Sequence, residues 1–95
     1  MTYELEFDAR ALKEFKKLGS TVQLQFKKKL KEILDSPKVT ANQLRDLPNC
    51  YKVKLRTSGY RMIYQVNDDT ITVLVVAIVK RDKEQAYKKA AIRLD

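Results

Sequence analysis

The side chains Lys52, Lys54, Arg56, Arg61, Arg81 and Tyr87 have the types and spacing to act on a phosphate. Lys52, Lys54 and Arg56 occupy every second position of Cys50-Tyr51-Lys52-Val53-Lys54-Leu55-Arg56, with Tyr51, Val53 and Leu55 between them. Successive strand side chains alternate faces, so this stretch carries one apolar face and one row of cations. A row of like charges repels itself. Either it is a solvated outer face, or a polyanion lies across it. The chain has no histidine, which removes the usual acid–base group at neutral pH and the commonest metal ligand. Acid–base work would fall to Lys, Arg, Tyr, Asp or Glu.

Two uses of such a cluster stay open. One is phosphate binding without chemistry. The other is cleavage of RNA by its own 2′-hydroxyl, which attacks the adjacent phosphorus and leaves a cyclic phosphate. That reaction needs a group to take the 2′ proton, a group to protonate the leaving 5′ oxygen, and donors for the crowded anionic phosphorus. It needs no metal or cofactor, and none is expected. A lone Lys titrates near ~10.4 and a Tyr near ~10, both high for a base at neutral pH. Lys52 and Lys54 on one face, with arginines nearby, disfavour each other's charged forms, while bound phosphate opposes that shift. Arg61 suits a planar clamp on phosphate oxygens, and Arg81 a second clamp or a donor to the leaving oxygen. Tyr87 can stack on a base, worth ~1–3 kcal/mol, or orient the 2′-hydroxyl.

Each residue also has a structural explanation. Lys52 and Lys54 suit the wet side of an edge strand, where lysines discourage edge-to-edge pairing. Arg61 and Arg81 have Glu4, Glu6 and Asp69 as possible ion-pair partners, and Tyr87 lies in an apolar helical stripe. Asp68, Asp69 and Asp82 read as loop chemistry rather than as a magnesium site.

Ninety-five residues, 1–95, make one domain with one modest core. Twenty Lys+Arg against twelve Asp+Glu give a net charge of +8, which favours acidic partners. Lys27, Lys28, Lys29 and Lys31 form a run, with Lys13, Lys16 and Lys17 upstream. They read as a solvated helical face or as a sequence-blind footprint on RNA phosphates. Lys27, Lys28, Lys31, Arg45 and Arg56 are the RNA-binding candidates. Cys50 stands alone and fits a reducing compartment. The N-terminus lacks a secretory pattern, and the longest apolar run, Val73 to Val79, falls well short of the ~20 residues of a membrane span. A cytoplasmic protein without a membrane partner is expected.

The elements that must position these groups follow from periodicity. Tyr3, Leu5 and Phe7 mark a first strand, and Asp8 an N-cap. Ala11, Leu12, Phe15 and Leu18 form a helical stripe that Gly19 should close in the left-handed conformation. Ser20 or Thr21 should cap a second helix running to about Asp35, striped by Val22, Phe26, Leu30, Ile33 and Leu34, with Pro37 as the stop. Residues 38–49 connect onward through a turn at Thr40–Gln43, pinned by Leu44 and Leu47 with Arg45 exposed. The cation strand and a second strand from Tyr60 join at Thr57-Ser58-Gly59, and Asn67-Asp68-Asp69 is a turn by composition. Thr70 to Val79 is apolar on both faces and should be central. Asp82 should cap a last helix, about Lys83 to Leu94, striped by Ala86, Tyr87, Ala90, Ala91 and Leu94. Alanines bury little surface, so this helix should dock weakly. The order implies an α+β fold.

Phe7-Asp8-x-Arg10-Ala-Leu-Lys-Glu14, Lys17-Leu-Gly-Ser-Thr-Val22, Lys27-Lys-Lys-Leu30, Cys50-Tyr-Lys-x-Lys-Leu-Arg56, Ser58-Gly-Tyr-Arg61 and Lys80-Arg81 together resemble the RelE branch of the RelE/ParE toxins. The resemblance covers essentially the whole chain. It implies a four-stranded antiparallel sheet, two N-terminal helices on one face, and a mobile C-terminal helix. It also implies a ribosome-dependent endoribonuclease that cleaves mRNA in the A site of the 70S ribosome, contacting mRNA and rRNA. A RelB-type antitoxin would wrap the toxin and displace the last helix, and operator DNA would be bound only through that complex. By the same resemblance Lys52 and Lys54 take base or transition-state roles, and Arg61 holds the scissile phosphate. Arg81 is general acid or phosphate donor, and Tyr87 packs on the target base. Arg45 is a further RNA contact. The alternatives are a non-enzymatic gyrase poison of the ParE branch, which does not share the Lys52, Lys54, Arg61 and Arg81 set, and a basic RNA-binding module.

Overall fold

Apolar periodicity sorts the chain into a sheet held between two layers. The computed structural model describes residues 2–44, 47–55, 58–80 and 83–94, with the backbone alone for 83–87. The elements run β1 (Glu4–Phe7), α1 (Ala9–Lys16), α2 (Ser20–Asp35), a 3₁₀ turn (Thr40–Asn42), β2 (Cys50–Lys54), β3 (Tyr60–Asn67), β4 (Thr72–Lys80) and α3 (Lys83–Leu94).

The sheet order is β1-β4-β3-β2. β2 and β4 flank β3 antiparallel, as the tight connections dictate. β1 lies parallel to β4, so the sheet is mixed in detail. No hairpin sets the direction of β1, because the helical pair and two strands intervene before β4 is laid beside it.

Asp8 caps α1 as expected, its Oδ1 accepting from Arg10 N–H at 2.9 Å. Gly19 does not close α1 in the left-handed region. It is extended (φ −62°, ψ 156°) and is itself the N-cap of α2. The carbonyls at the end of α1 are satisfied from the next helix instead: Gln23 Nε2 donates to Leu18 O at 2.8 Å and to Phe15 O at 3.2 Å. With those acceptors filled, no left-handed residue is needed.

Ala11, Phe15 and Leu18 of the first helical segment and Phe26, Leu30 and Ile33 of α2 bury against one sheet face. That face is made by Tyr51, Val53, Leu55, Met62, Tyr64, Val66, Val73, Val75 and Ile78. The other face carries Cys50, Ile63, Val76 and Val79, covered by Leu44 from the connection and Ala90 from α3, with Leu47 and Leu94 packed alongside. β4 is thus covered on both sides, which explains its doubly apolar sequence. Cys50 is fully buried in this second cluster, and burial pushes its thiol up to about 11. On α3 the expected stripe holds at Ala90 and Leu94, whereas Ala91 is exposed. The side chains of Ala86 and Tyr87, and the expected cap Asp82, lie outside the described residues. Gly59 at φ 78° closes the β2–β3 connection, its N–H donating to Leu55 O at 2.8 Å. Among the described residues no helix is long and apolar enough to cross a membrane.

Phe26 is completely buried at the centre of the first cluster. Phe26→Ala should cost about 3–5 kcal/mol, and for a domain whose total is about 5–15 kcal/mol urea denaturation should show most of it lost. Tyr64 is also completely buried, and its hydroxyl donates to Pro37 O at 2.8 Å. Burial, with Tyr51 nearby, holds its phenol above the ordinary tyrosine range. The stability this contributes is complete below about pH 10 and is lost as pH rises from there toward the folded value, because only the unfolded chain ionises. Tyr64→Phe should flatten that alkaline slope in urea titrations. It should also cost about 1–3 kcal/mol at neutral pH for the orphaned carbonyl.

Candidate active site on the cation face

Pairing decides which cations meet. Lys52 stands opposite Ile63, and Lys54 opposite Arg61. Arg61 in turn stands opposite Val79, so the end of β4 lies beside it. With Tyr51, Val53, Met62 and Tyr64 turned toward the helices, Lys52, Lys54 and Arg61 share the other face with Cys50 and Ile63. Like charges directly opposite across two strands are destabilising. Among the described residues no carboxylate forms an ion pair with them. The ion pairs there are Arg10–Asp8, Lys38–Asp68, Lys89–Glu14 and Arg93–Glu14. The pairing of Arg61 with Glu4, Glu6 or Asp69 does not occur.

Arg61 is half-buried, and its Nε is buried without a hydrogen-bond partner among the described residues. A buried donor left unmade costs roughly 1–3 kcal/mol, so Arg61 is a donor in want of an acceptor. Lys52 is half-buried and Lys54 exposed. With Val53 they line a cleft of about 120 Å³. Cations converging on a small open cleft can hold a tetrahedral anion: a planar guanidinium from one side, two mobile ammonium groups from the other.

β2 is also the free edge of the sheet, so its lysines guard an edge as well. Beside it runs a groove of about 570 Å³ between α2 and the 3₁₀ turn, lined by Lys29, Glu32, Ser36, Asn42, Lys52 and Lys54 among others. From the lysine run only Lys29 reaches this groove. Lys27, Lys28 and Lys31 are exposed and do not line it. The signal for Lys29 was present in the sequence: it lies three residues after Phe26 and four before Ile33, on the margin of the buried stripe.

Of the other candidates, Arg45, Arg56 and Arg81 lie outside the described residues, as does the side chain of Tyr87. Position 87 belongs to α3, which packs against β4 and β3. Lys80, the last residue of β4, places its Nζ 5.6 Å from the centre of the Tyr60 ring. Asp68 accepts from Lys38 Nζ and from Tyr3 Oη at 2.8 Å, the ordinary loop chemistry expected of it. Among the described residues no three His, Cys, Asp or Glu side chains are grouped to hold a metal ion.

The chain matches known proteins over nearly its full length. A family model described as the ParE toxin of type II toxin–antitoxin systems, parDE, covers residues 5–85. The mRNA interferase toxin RelE of Escherichia coli (strain K12) is 54% identical over 94 residues, 99% of each chain. The solved structure of the E. coli toxin RelE in the free state, as a double arginine-to-alanine mutant, superposes with a TM-score of 0.92 at 53% identity, covering all of both chains. The toxin in the intact E. coli RelBE toxin–antitoxin complex superposes at 0.82 with 57% identity, over 85% of this chain and 99% of that one. The chain therefore belongs to the ParE toxin family of type II toxin–antitoxin systems, on its RelE branch.

Proposed function

We propose that this chain is an endoribonuclease toxin, an mRNA interferase, that cuts mRNA in the ribosomal A site by attack of a 2′-hydroxyl on the adjacent phosphate. The observation that carries the proposal is the cation cleft. Lys52, Lys54 and Arg61 converge with no ion-paired carboxylate among the described residues, and Arg61 Nε is buried without a partner among them. The likeness to RelE from E. coli, named an mRNA interferase toxin, supports the same activity.

In this reading Arg61 clamps the scissile phosphate and stabilises its charge as it becomes pentacoordinate. Lys52 and Lys54 supply the remaining positive field, and one of them takes the 2′ proton. Arg81 donates toward the leaving 5′ oxygen, and Tyr87 stacks on the target base. Arg45, Arg56, Lys27, Lys28 and Lys31 hold RNA by charge alone, with Lys29 and the β2-edge groove added by the structure. Groups so poor in acid–base power gain from a ribosome that holds mRNA in attack geometry, since orientation alone can supply ~7–11 kcal/mol. A RelB-type antitoxin neutralises the toxin by wrapping it and displacing α3, and the pair binds operator DNA as a complex. Both act in the cytoplasm.

The test adds the purified chain to a reconstituted translation system and maps mRNA ends by primer extension. Codon-registered cuts are expected. Intact mRNA with inhibited gyrase would instead support the ParE-branch alternative. Arg61→Ala should lower single-turnover cleavage by about 10²–10³-fold, with an unchanged urea midpoint or a slightly raised one, because it also removes a cross-strand repulsion. Lys54→Ala should weaken dependence on salt as well as rate. Replacing Lys27, Lys28 and Lys31 together should change only the salt-sensitive binding step.

A further inference from the structure

The parallel pairing of β1 stops at Phe7 opposite Val75, while β4 continues to Lys80. Just past that point β4 bulges, slipping its register opposite Ile63 and Tyr64. Backbone groups on the uncovered side are taken by side chains from two different layers. Glu14 of α1 accepts from Ile78 N–H at 3.2 Å, and Arg93 of α3 donates to Val76 O at 2.9 Å. The two side chains also grip each other. Arg93 Nη1 donates to Glu14 Oε1 at 2.7 Å and Nη2 to Oε2 at 3.2 Å, and Lys89 Nζ donates to Oε2 at 3.0 Å. The Arg93 side chain is only 10% exposed. The clasp reaches around the sheet edge from one helical layer to the other.

By contrast α3 fully buries one apolar side chain among those described, Ala90, and leaves Ile92 at 69% exposure. A buried two-pronged arginine–carboxylate pair outweighs so small an apolar contact. Burial raises the Glu14 carboxyl, but donation from Arg93, Lys89 and Ile78 N–H outweighs it and holds the group below its ordinary value, so it is charged at neutral pH. α3 is therefore held at two points. Its start follows β4 beside Arg61, and its end is tied through Lys89 and Arg93 to Glu14.

We propose that Glu14 is a positioning residue: from α1, on the far side of the sheet, it fixes the end of α3 and so sets how the helix lies against β4 and β3, the strand that carries Arg61 of the cleft. The positioning of the reaction rests on the function proposed above, while the clasp itself does not. Glu14 touches neither substrate nor cleft. It acts through Arg93 and Lys89.

The test uses the full chain and two independent readouts. In Glu14→Gln, amide exchange over residues 88–94 should rise about tenfold or more, with β3 and β4 unchanged. On programmed ribosomes kcat for mRNA cleavage should fall at least about fivefold while KM stays put, because binding cations are untouched. Arg93→Lys, which keeps the charge but loses the two-pronged grip, should fall between wild type and Glu14→Gln in both readouts. Exchanging the partners in Glu14→Arg/Arg93→Glu should leave α3 exchange as fast as in Glu14→Gln, because the new guanidinium would face Ile78 N–H and the new carboxylate Val76 O; restored protection would overturn the backbone part of the clasp. Unchanged α3 exchange in Glu14→Gln would overturn the clasp, and faster exchange with unchanged kcat would overturn the positioning role. A wild-type chain that cleaves nothing would count against the proposed function, and the exchange readout would still decide the clasp.

Discussion

Burial of one sheet face under α1 and α2 is the constraint from which the cleft follows. Tyr51, Val53, Met62 and Tyr64 must face Phe15, Phe26 and Leu30 to form the main core. Because strand side chains alternate, the same burial commits Lys52, Lys54 and Arg61 to the opposite face. A slip of one residue in β2 would turn Lys52 and Lys54 toward the core and Tyr51 and Val53 away from it, so register is very strongly specified. Nothing about the cations themselves brings them together. They are held against their own repulsion by apolar surface on the far side of the sheet, and the cleft is a by-product of the core.

That arrangement explains why the site is poor in acid–base groups yet rich in field. Lys54 and Arg61 stand directly opposite each other in a non-hydrogen-bonded pair of the β2–β3 ladder, a position where opposite charges would stabilise and like charges do not. Without a partner carboxylate, the attraction available to an incoming phosphate is undiminished by an internal competitor. An ion pair at Arg61 would have to be broken before the phosphate could bind, and the buried Nε would then be matched already. The protein accepts a small loss of stability for a site that is ready when empty.

Much of this was legible in the residues. The alternation at 50–55, the central strand expected over Thr70–Val79 and found at Thr72–Lys80, the Asp8 cap and the span of α3 all follow from local chemistry, and among the described residues the structure places them close to where periodicity does. What local chemistry missed has a common physical cause. Gly19 read as a helix terminator because the long-range acceptor-filling by Gln23 is invisible to a scan of capping residues. β1 ran parallel because no tight turn fixes its direction. Lys29 differs from Lys27, Lys28 and Lys31 only by its angle around α2, which matters once β2 is laid beside it. Glu14 drew no reading of its own from the sequence, since its partners lie more than sixty residues downstream.

The clasp also changes the meaning of a weakly packed last helix. A stripe of alanines alone would describe an element that frays by degrees, since losing each small contact costs little. A helix tied mainly by one buried carboxylate–guanidinium grip behaves differently: it is either fastened or free, because the grip's two hydrogen bonds and the Arg93 bond to Val76 O fail together. When it opens, Glu14 loses Arg93 and Lys89, and Val76 C=O loses its donor, while the Ile78 N–H bond to Glu14 stays. Any segment that takes the place of α3 must then refill them or leave a charge and one backbone carbonyl unmatched at the edge of β4. Small apolar contact makes the helix removable, and the polar clasp makes its removal selective. On the function proposed above, a toxin active when alone and silent when partnered would need both properties in the same element.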